Sequence, residues 1–180
     1  MNHHIHRSRR SAISTVALTS FALVACVANP VARDGESLKA SEGLLVFQAS
    51  SNAAARLSYV EYSPQSTFGS RFSEQWVGPK GNLDFVAGEK YFVIPLKAGE
   101  YMWSRLEVYP KFAWLQSTNR FRVRPGSITY IGHIRLFVQD AKFRLAVVDR
   151  EEDMRAYIAQ SYPAYSKSLP VEKAISEIRL

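Results

Sequence analysis

The chain has 180 residues, 47% of them hydrophobic and 12% aromatic, and a formal charge of +7 at pH 7. This is enough apolar material for one domain with its own core, and the aromatic share suits a β-rich fold, where rings pack on pleated surfaces. Arg7, Arg9 and Arg10 belong to a segment expected to be removed. Without them the charge falls to +4 and no Lys/Arg run remains, which excludes a nucleic-acid-binding signature.

Residues 1–25 have the arrangement of a secretory signal peptide. The three arginines precede an uncharged apolar run from Ala12 to Ala25, too short to span a bilayer. The run ends in Leu23-Val24-Ala25-Cys26, which resembles the bacterial lipobox, and Cys26 is the only cysteine. The resemblance implies that the Cys26 thiol takes a diacylglycerol, that the chain is cut before it, and that the new amino terminus is acylated. Each buried methylene of such chains contributes about 0.8 kcal/mol, so the anchor would be effectively permanent. By the sorting rule of such lipoproteins, Val27 in place of Asp implies the outer membrane. His3, His4 and His6 precede the cut and are given no function. Residues 26–42, the acylated cysteine and a segment of Pro, Gly, Ser and mixed charge, read as a flexible tether with a reach on the order of 20 Å.

The composition changes at Gly43, and residues 43–148 read as a β-sandwich domain. Leu44-Leu45-Val46-Phe47 is an unbroken apolar run, as expected of a strand covered on both sides. Arg56–Tyr62 and Gly69–Val77 follow as strands, with Phe72 and Trp76 on one core face. Residues 78–82 read as a turn, Leu83–Ala87 as a short edge strand and Gly88-Glu89 as another turn. Tyr91–Ile94 is a strand expected to end at Pro95, which lacks the ladder donor. Met102, Ser104, Leu106 and Val108 then alternate with Trp103, Arg105, Glu107 and Tyr109.

Phe121 and Val123 alternate with Arg120, Arg122 and Arg124 until Pro125-Gly126, a pair suited to a type II turn. Closed as a hairpin, the turn would set Val123 opposite Ile128 and Phe121 opposite Tyr130. Beyond it, Ile128, Tyr130, Gly132, Ile134, Leu136 and Val138 share one face by parity. Thr129, Ile131, His133, Arg135 and Phe137 share the other. Leu96-Lys97-Ala98-Gly99-Glu100-Tyr101, a strand, then Phe121–Gly126 and a return strand resemble transthyretin-like (prealbumin-like) sandwich modules. In these a leucine, a turn glycine and a tyrosine open a core strand. Pro125-Gly126 and Tyr130-Ile131-Gly132 also resemble an element of uncharacterised bacterial lipoproteins. The resemblance implies an all-β module that binds or scaffolds.

A last strand alternates over Lys142–Val147, and residues 149–180 read as a helical extension packed on the sandwich. Asp149 and Glu152 have the spacing of a capping box. Met154, Tyr157, Ile158 and Tyr162 recur at helical spacing until Pro163, and three acids in the first turn suit the helix dipole. Val171, Ala174, Ile175 and Ile178 suggest a second helix. The fold class expected is therefore mainly β: an antiparallel sandwich of seven to eight strands with one or two short C-terminal helices.

Candidate chemistry is sparse. Beyond the signal segment His133 is the one histidine and Cys26, expected to be acylated, the one cysteine, so Cys/His catalysis is ruled out, and no G-x-S-x-G element supports a serine triad. His133 is expected to be structural or solvent-facing. Zinc ligands, a P-loop and a dinucleotide fingerprint are all missing, so no cofactor is expected. Glu61, Glu74, Asp84, Glu89, Glu100 and Glu107 leave open a carboxylate pair. Arg120, Arg122, Arg124, His133 and Arg135 could share one polar sheet face, either an anion-binding surface or a solvated edge. The expected function is a non-catalytic outer-membrane lipoprotein facing the periplasm, binding or scaffolding at the envelope. Its partners would be the membrane through its lipid, and another envelope protein or an anionic envelope polymer. The alternative is a carboxylate-dependent hydrolase acting on envelope material.

Overall fold

The computed structural model describes residues 31–62, 80–115, 120–140 and 142–178, with the backbone alone at Phe85. The described strands are β1 (Glu42–Ser51), β2 (Ala55–Glu61), β3 (Gly81–Phe85), β4 (Gly88–Lys97), β5 (Gly99–Val108), β6 (Lys111–Trp114), β7 (Phe121–Val123), β8 (Ile128–Gln139) and β9 (Lys142–Val148). Helices α1 (Glu151–Ser161) and α2 (Pro163–Ser168) and a final strand β10 (Val171–Lys173) complete the fold. They build two five-stranded sheets. In the first, β4, β1 and β8 lie side by side, and β9 and β10 share the far edge of β8. In the second, β3, β2 and β5 lie side by side, and β6 and β7 share the far edge of β5. The expected mainly β sandwich with short C-terminal helices is observed. Its first sheet also carries two parallel pairings, β1 with β8 and β10 with β8.

The inter-sheet core is aromatic. Phe47 stacks on Phe92 at 4.8 Å, and Trp103 makes contacts with Phe47, Tyr59 and Phe121 at 6.0, 6.2 and 5.2 Å. Each such side chain contributes about 1.5–3 kcal/mol on burial, and each well-oriented ring pair about 0.5–1.5 kcal/mol more. The Trp103 indole N–H donates to Ser176 Oγ (3.1 Å), which donates to the Ile131 carbonyl (3.2 Å), so these two buried polar groups are paired. The first sheet is covered on its outer side as well. Leu44, Val46, Val93, Ile128 and Tyr130 pack there against Met154, Ile158 and Tyr165, and Tyr91 stacks on Tyr157 at 3.9 Å. The apolar run of β1 thus serves two cores, with Leu45 and Phe47 facing inward and Leu44 and Val46 outward.

Local turn chemistry around Pro125-Gly126 is as expected, with Gly126 at φ +62°, but the hairpin is not formed. Phe121 pairs with Tyr101 and Val123 with Gly99 in the second sheet, whereas Ile128 pairs with Leu44 in the first. The turn carries the chain from one sheet to the other. The single-face reading of β8 is also corrected. Between Val46 and Gln48 the register with β1 jumps from Tyr130 to His133, a bulge that holds Gly132 at φ +105°. The extra residue inverts the parity of everything after it. Ile128 and Tyr130 therefore lie in the outer core, and Ile134 and Leu136 in the inner one.

Several boundaries move. Gly81 and Asn82 are strand rather than turn, and the β3–β4 turn is Val86-Ala87 rather than Gly88-Glu89. Strand β4 runs through Pro95 because it is the edge of its sheet, where a missing donor is tolerated. Strand β6 lacked a sequence signal. The strand expected at Gly69–Val77, with Phe72 and Trp76, lies outside the described residues. Helix α1 has Arg150 as its N-cap, so the capping box is not made, although Asp149 Oδ1 accepts the Glu151 N–H (3.2 Å). Pro163 ends α1 but opens α2 at a first-turn position, where its missing N–H costs nothing. Val171–Ile178 is not a helix. It is β10 and an extended tail, whose Ala174 and Ser176 amides donate to the Tyr130 and Ile131 carbonyls (2.8 and 3.1 Å).

Residues 31–42, expected to be a flexible tether, are docked. Ala32 donates its N–H to Val93 O (2.9 Å) and is buried, and Leu38 packs on the outer core. The Asp34 carboxylate accepts the Ala164 and Tyr165 amides (3.1 and 3.2 Å), satisfying two orphan donors of α2.

Candidate functional site

The Gly132 bulge has one chemical consequence: it turns His133 onto the outer face of the first sheet, beside β1. There Gln48 and Ser50 break the outward apolar series begun by Leu44 and Val46. Strand β4 brings Glu89 opposite Ser50. Arg135 follows His133 on β8, and Arg150 stands at the start of α1. Ser50, Glu89, His133, Arg135, Val148 and Arg150 line a cleft of about 440 Å³ just beyond the helix that covers the rest of the face. A second depression of about 680 Å³ shares Arg150 and is lined by Asp149, Glu151, Glu152, Asp153, Arg155 and Lys173.

His133 is the floor, only 4% exposed. Its Nε2 lies 2.8 Å from Ser50 Oγ and 3.7 Å from Glu89 Oε1. Glu89 Oε1 accepts in turn from Gln48 Nε2 at 2.6 Å. Burial pushes the His133 pKa below its ordinary 6.5; Glu89 opposes this, and Arg150 and Arg135 reinforce it. The ring is therefore neutral at neutral pH. Among the described residues, its Nδ1 and the Gln48 Oε1 are buried with no hydrogen-bond partner. A serine triad needs the serine on one ring nitrogen and the carboxylate on the other. Here the serine and the carboxylate both face Nε2, so no relay is assembled. The cleft instead offers hydrogen-bonding groups flanked by two guanidinium groups. Arg150 is paired with Asp153 at 3.3 Å, while Arg135 is exposed and makes no ion pair among the described residues.

The five residues expected on one polar face are divided among separate places, because β7 and β8 belong to different sheets. Arg120 and Arg122 both bond Glu100, which holds that carboxyl below its usual range, Arg122 being the larger cause. The Arg120 guanidinium also lies over the Tyr62 ring at 3.5 Å. Arg124, at the crossing turn, pairs with Glu172 at 3.2 Å. Only His133 and Arg135 share a cleft. Cys26 lies outside the described residues. Sequence reasoning missed Gln48, Ser50 and Arg150, and listed Glu89 only among scattered acids. The break in the β1 apolar run was the one available signal.

Among the described residues no group of three or more His, Cys, Asp or Glu side chains could hold a metal ion, and no helix is long and apolar enough to cross a membrane. No family model matches this chain, and no curated protein or solved structure shows significant similarity to it.

Proposed function

We propose that the protein is a non-catalytic lipoprotein, held by an acylated Cys26 at the periplasmic face of the outer membrane. Its prealbumin-like sandwich binds or scaffolds envelope components. The observation that carries the binding role is the ring geometry at His133. A buried neutral imidazole with both polar neighbours on Nε2 can donate or accept one hydrogen bond, but it cannot pass a proton to a carboxylate on Nδ1. Ionised carboxylates agree with this: Glu42, Glu100 and Glu151 are all held below their usual range by hydrogen bonds from cations. Arg135 is the group of the cleft best placed to take a carboxylate or phosphate of an anionic envelope polymer. The prealbumin-like reading is supported by Tyr101, fully buried at the opening of β5, whose hydroxyl donates to the Lys97 carbonyl at 2.7 Å.

Two measurements test the proposal. Cys26→Ser should release the protein from membranes washed in high salt, and a variant that still pellets refutes the lipid anchor. Arg135→Glu should weaken co-sedimentation with isolated peptidoglycan sacculi, more at low than at high ionic strength, because exposed charges are screened beyond about 8 Å at physiological salt. Binding indifferent to both changes removes the cleft from the function.

A further inference from the structure

The strand register gathers four connections at one end of the sandwich. Ser51 lies opposite both Gly88 and Leu136, Ala55 opposite Phe85, and Val108 opposite Lys111. The β1–β2, β3–β4, β5–β6 and β8–β9 turns therefore share that end. Asn52 ties two of them together, its side chain exchanging hydrogen bonds of 2.8 Å with the Val138 backbone in both directions.

This loop end concentrates exposed apolar surface. Among the described residues the large hydrophobic side chains that stand well exposed are Val31, Val86, Tyr109, Phe112, Phe137 and Val148. Four of the six, at 74%, 97%, 58% and 48% exposure for Val86, Tyr109, Phe112 and Phe137, lie on or next to these turns. Exposed cations, Lys111, Lys142 and Arg144, stand among them. Among the described acids nearby, Asp84 is paired with Arg56 and Glu107 with Arg105, and Glu89 accepts from Gln48, while Asp140 stands at the tip of β8–β9. A tyrosine with a polar handle, apolar rings and tips, and flanking cations are a composition that settles at a bilayer interface.

The position of the anchor supplies the occupant. Five Cα steps separate Cys26 from Val31, a span of at most about 18 Å. Val31 is 61% exposed and shares a small cleft with Asp84 and Lys90, each within three residues of the β3–β4 turn. The docking of Ala32 on Val93 fixes that exit point on the fold. An acylated Cys26 therefore holds the flank beside the loop end close to the lipid.

We infer that the loop end, through Val86, Tyr109, Phe112 and Phe137, rests in the headgroup layer of the membrane that anchors the chain, and that the sandwich stands on the bilayer in one orientation. This inference rests on the lipid-anchored reading above. Its test uses the acylated full chain in vesicles of phosphatidylethanolamine and phosphatidylglycerol with brominated acyl chains. Single variants Val86→Cys, Tyr109→Cys and, on α2 at the opposite end, Lys167→Cys carry an environment-sensitive fluorophore; the acylated Cys26 thiol takes no label. The lipid should quench the first two at least twofold more than the third. Equal quenching at all three, stronger quenching at Lys167→Cys, or none at Val86→Cys and Tyr109→Cys overturns the inference. Intact mass separates the two readings. If the chain proves to lack acyl groups, the anchor fails, and the same labels are read with the unacylated protein, its free Cys26 replaced by Cys26→Ser, at saturating vesicles. Quenching at Val86→Cys and Tyr109→Cys then upholds the docking end, and its absence refutes it.

Discussion

Replacing Gly132 by alanine is the most direct perturbation of the architecture, because this residue sets which face of the first sheet each later side chain of β8 occupies. At φ +105° the backbone sits where L side chains rarely go, and an added Cβ would meet Val147 Cγ1 at 2.4 Å and the Val148 carbonyl at 3.4 Å. Backbone strain of this kind costs about 1–3 kcal/mol. Overpacking against a branched neighbour adds about 1–3 kcal/mol. The expected loss is thus about 2–6 kcal/mol, a large fraction of the roughly 5–15 kcal/mol by which such domains are stable. Gly88 provides the control: its φ is +120°, and an added Cβ would meet nothing within 4 Å. Gly88→Ala should show the strain alone. Urea titrations of both variants, with Val147→Ala and the Gly132→Ala/Val147→Ala pair, resolve the two contributions. The pair should be less destabilised than the sum of its members, since the shortened side chain removes the clashing methyl. A Gly132→Ala variant no less stable than Gly88→Ala, or strictly additive with Val147→Ala, would refute the bulge geometry.

Two further outcomes are expected. Asp34→Ala removes the acceptor of the Ala164 and Tyr165 amides and should cost about 1 kcal/mol while speeding amide exchange across residues 31–42; unchanged exchange there would mean the segment is not docked as described. Because burial lowers the His133 pKa in the folded protein, its contribution is complete above the unfolded value of 6.5 and is lost as pH falls through the lowered folded value. His133→Gln should therefore lose less stability than the parent between pH 7.5 and pH 5 in denaturant titrations, and equal losses would show that the ring does not control this window.

Much of the fold was legible because alternation and apolar runs are local signals. Leu44–Phe47 announces a strand buried on both faces, and Met154, Tyr157 and Ile158 announce a helix that covers a sheet. What escaped was set by tertiary context. The Pro125-Gly126 turn uses the same local conformation whether the next strand pairs beside the last one or crosses to another sheet. Val171, Ala174, Ile175 and Ile178 have helical spacing. Yet the segment is extended, and it places Val171 and Ile175 against the outer core and Ile178 in the inner one. Gly132 was counted as one more residue on an oily face, although a lone glycine in a strand is also the mark of a bulge. That miscount mixed the two cores, and together with the assumed hairpin it placed His133 on a face with arginines from the other sheet. The cleft could not be read in advance, since its members come from β1, β4, β8, β9 and α1.

The energetics of the first sheet's outer face bear on what that cleft is for. Over most of its length the face is apolar and covered, with Leu44, Val46, Val93 and Ile128 against Met154 and Ile158. One step beyond the helix the same strands carry Gln48, Ser50, Glu89 and His133, of which Gln48 and His133 are buried at 7% and 4% exposure. Leaving a buried polar atom unpaired costs about 1–3 kcal/mol, and two atoms without a partner among the described residues, Gln48 Oε1 and His133 Nδ1, belong to residues paired across β1 and β8. Aliphatic residues would continue the packing without that loss, as they do two and four positions earlier on β1. A scaffold selected only for stability has no reason to place its buried histidine and an unpaired glutamine carbonyl where the sheet opens to solvent next to Arg135. Stability given up at one open, polar cleft supports a binding role for that cleft.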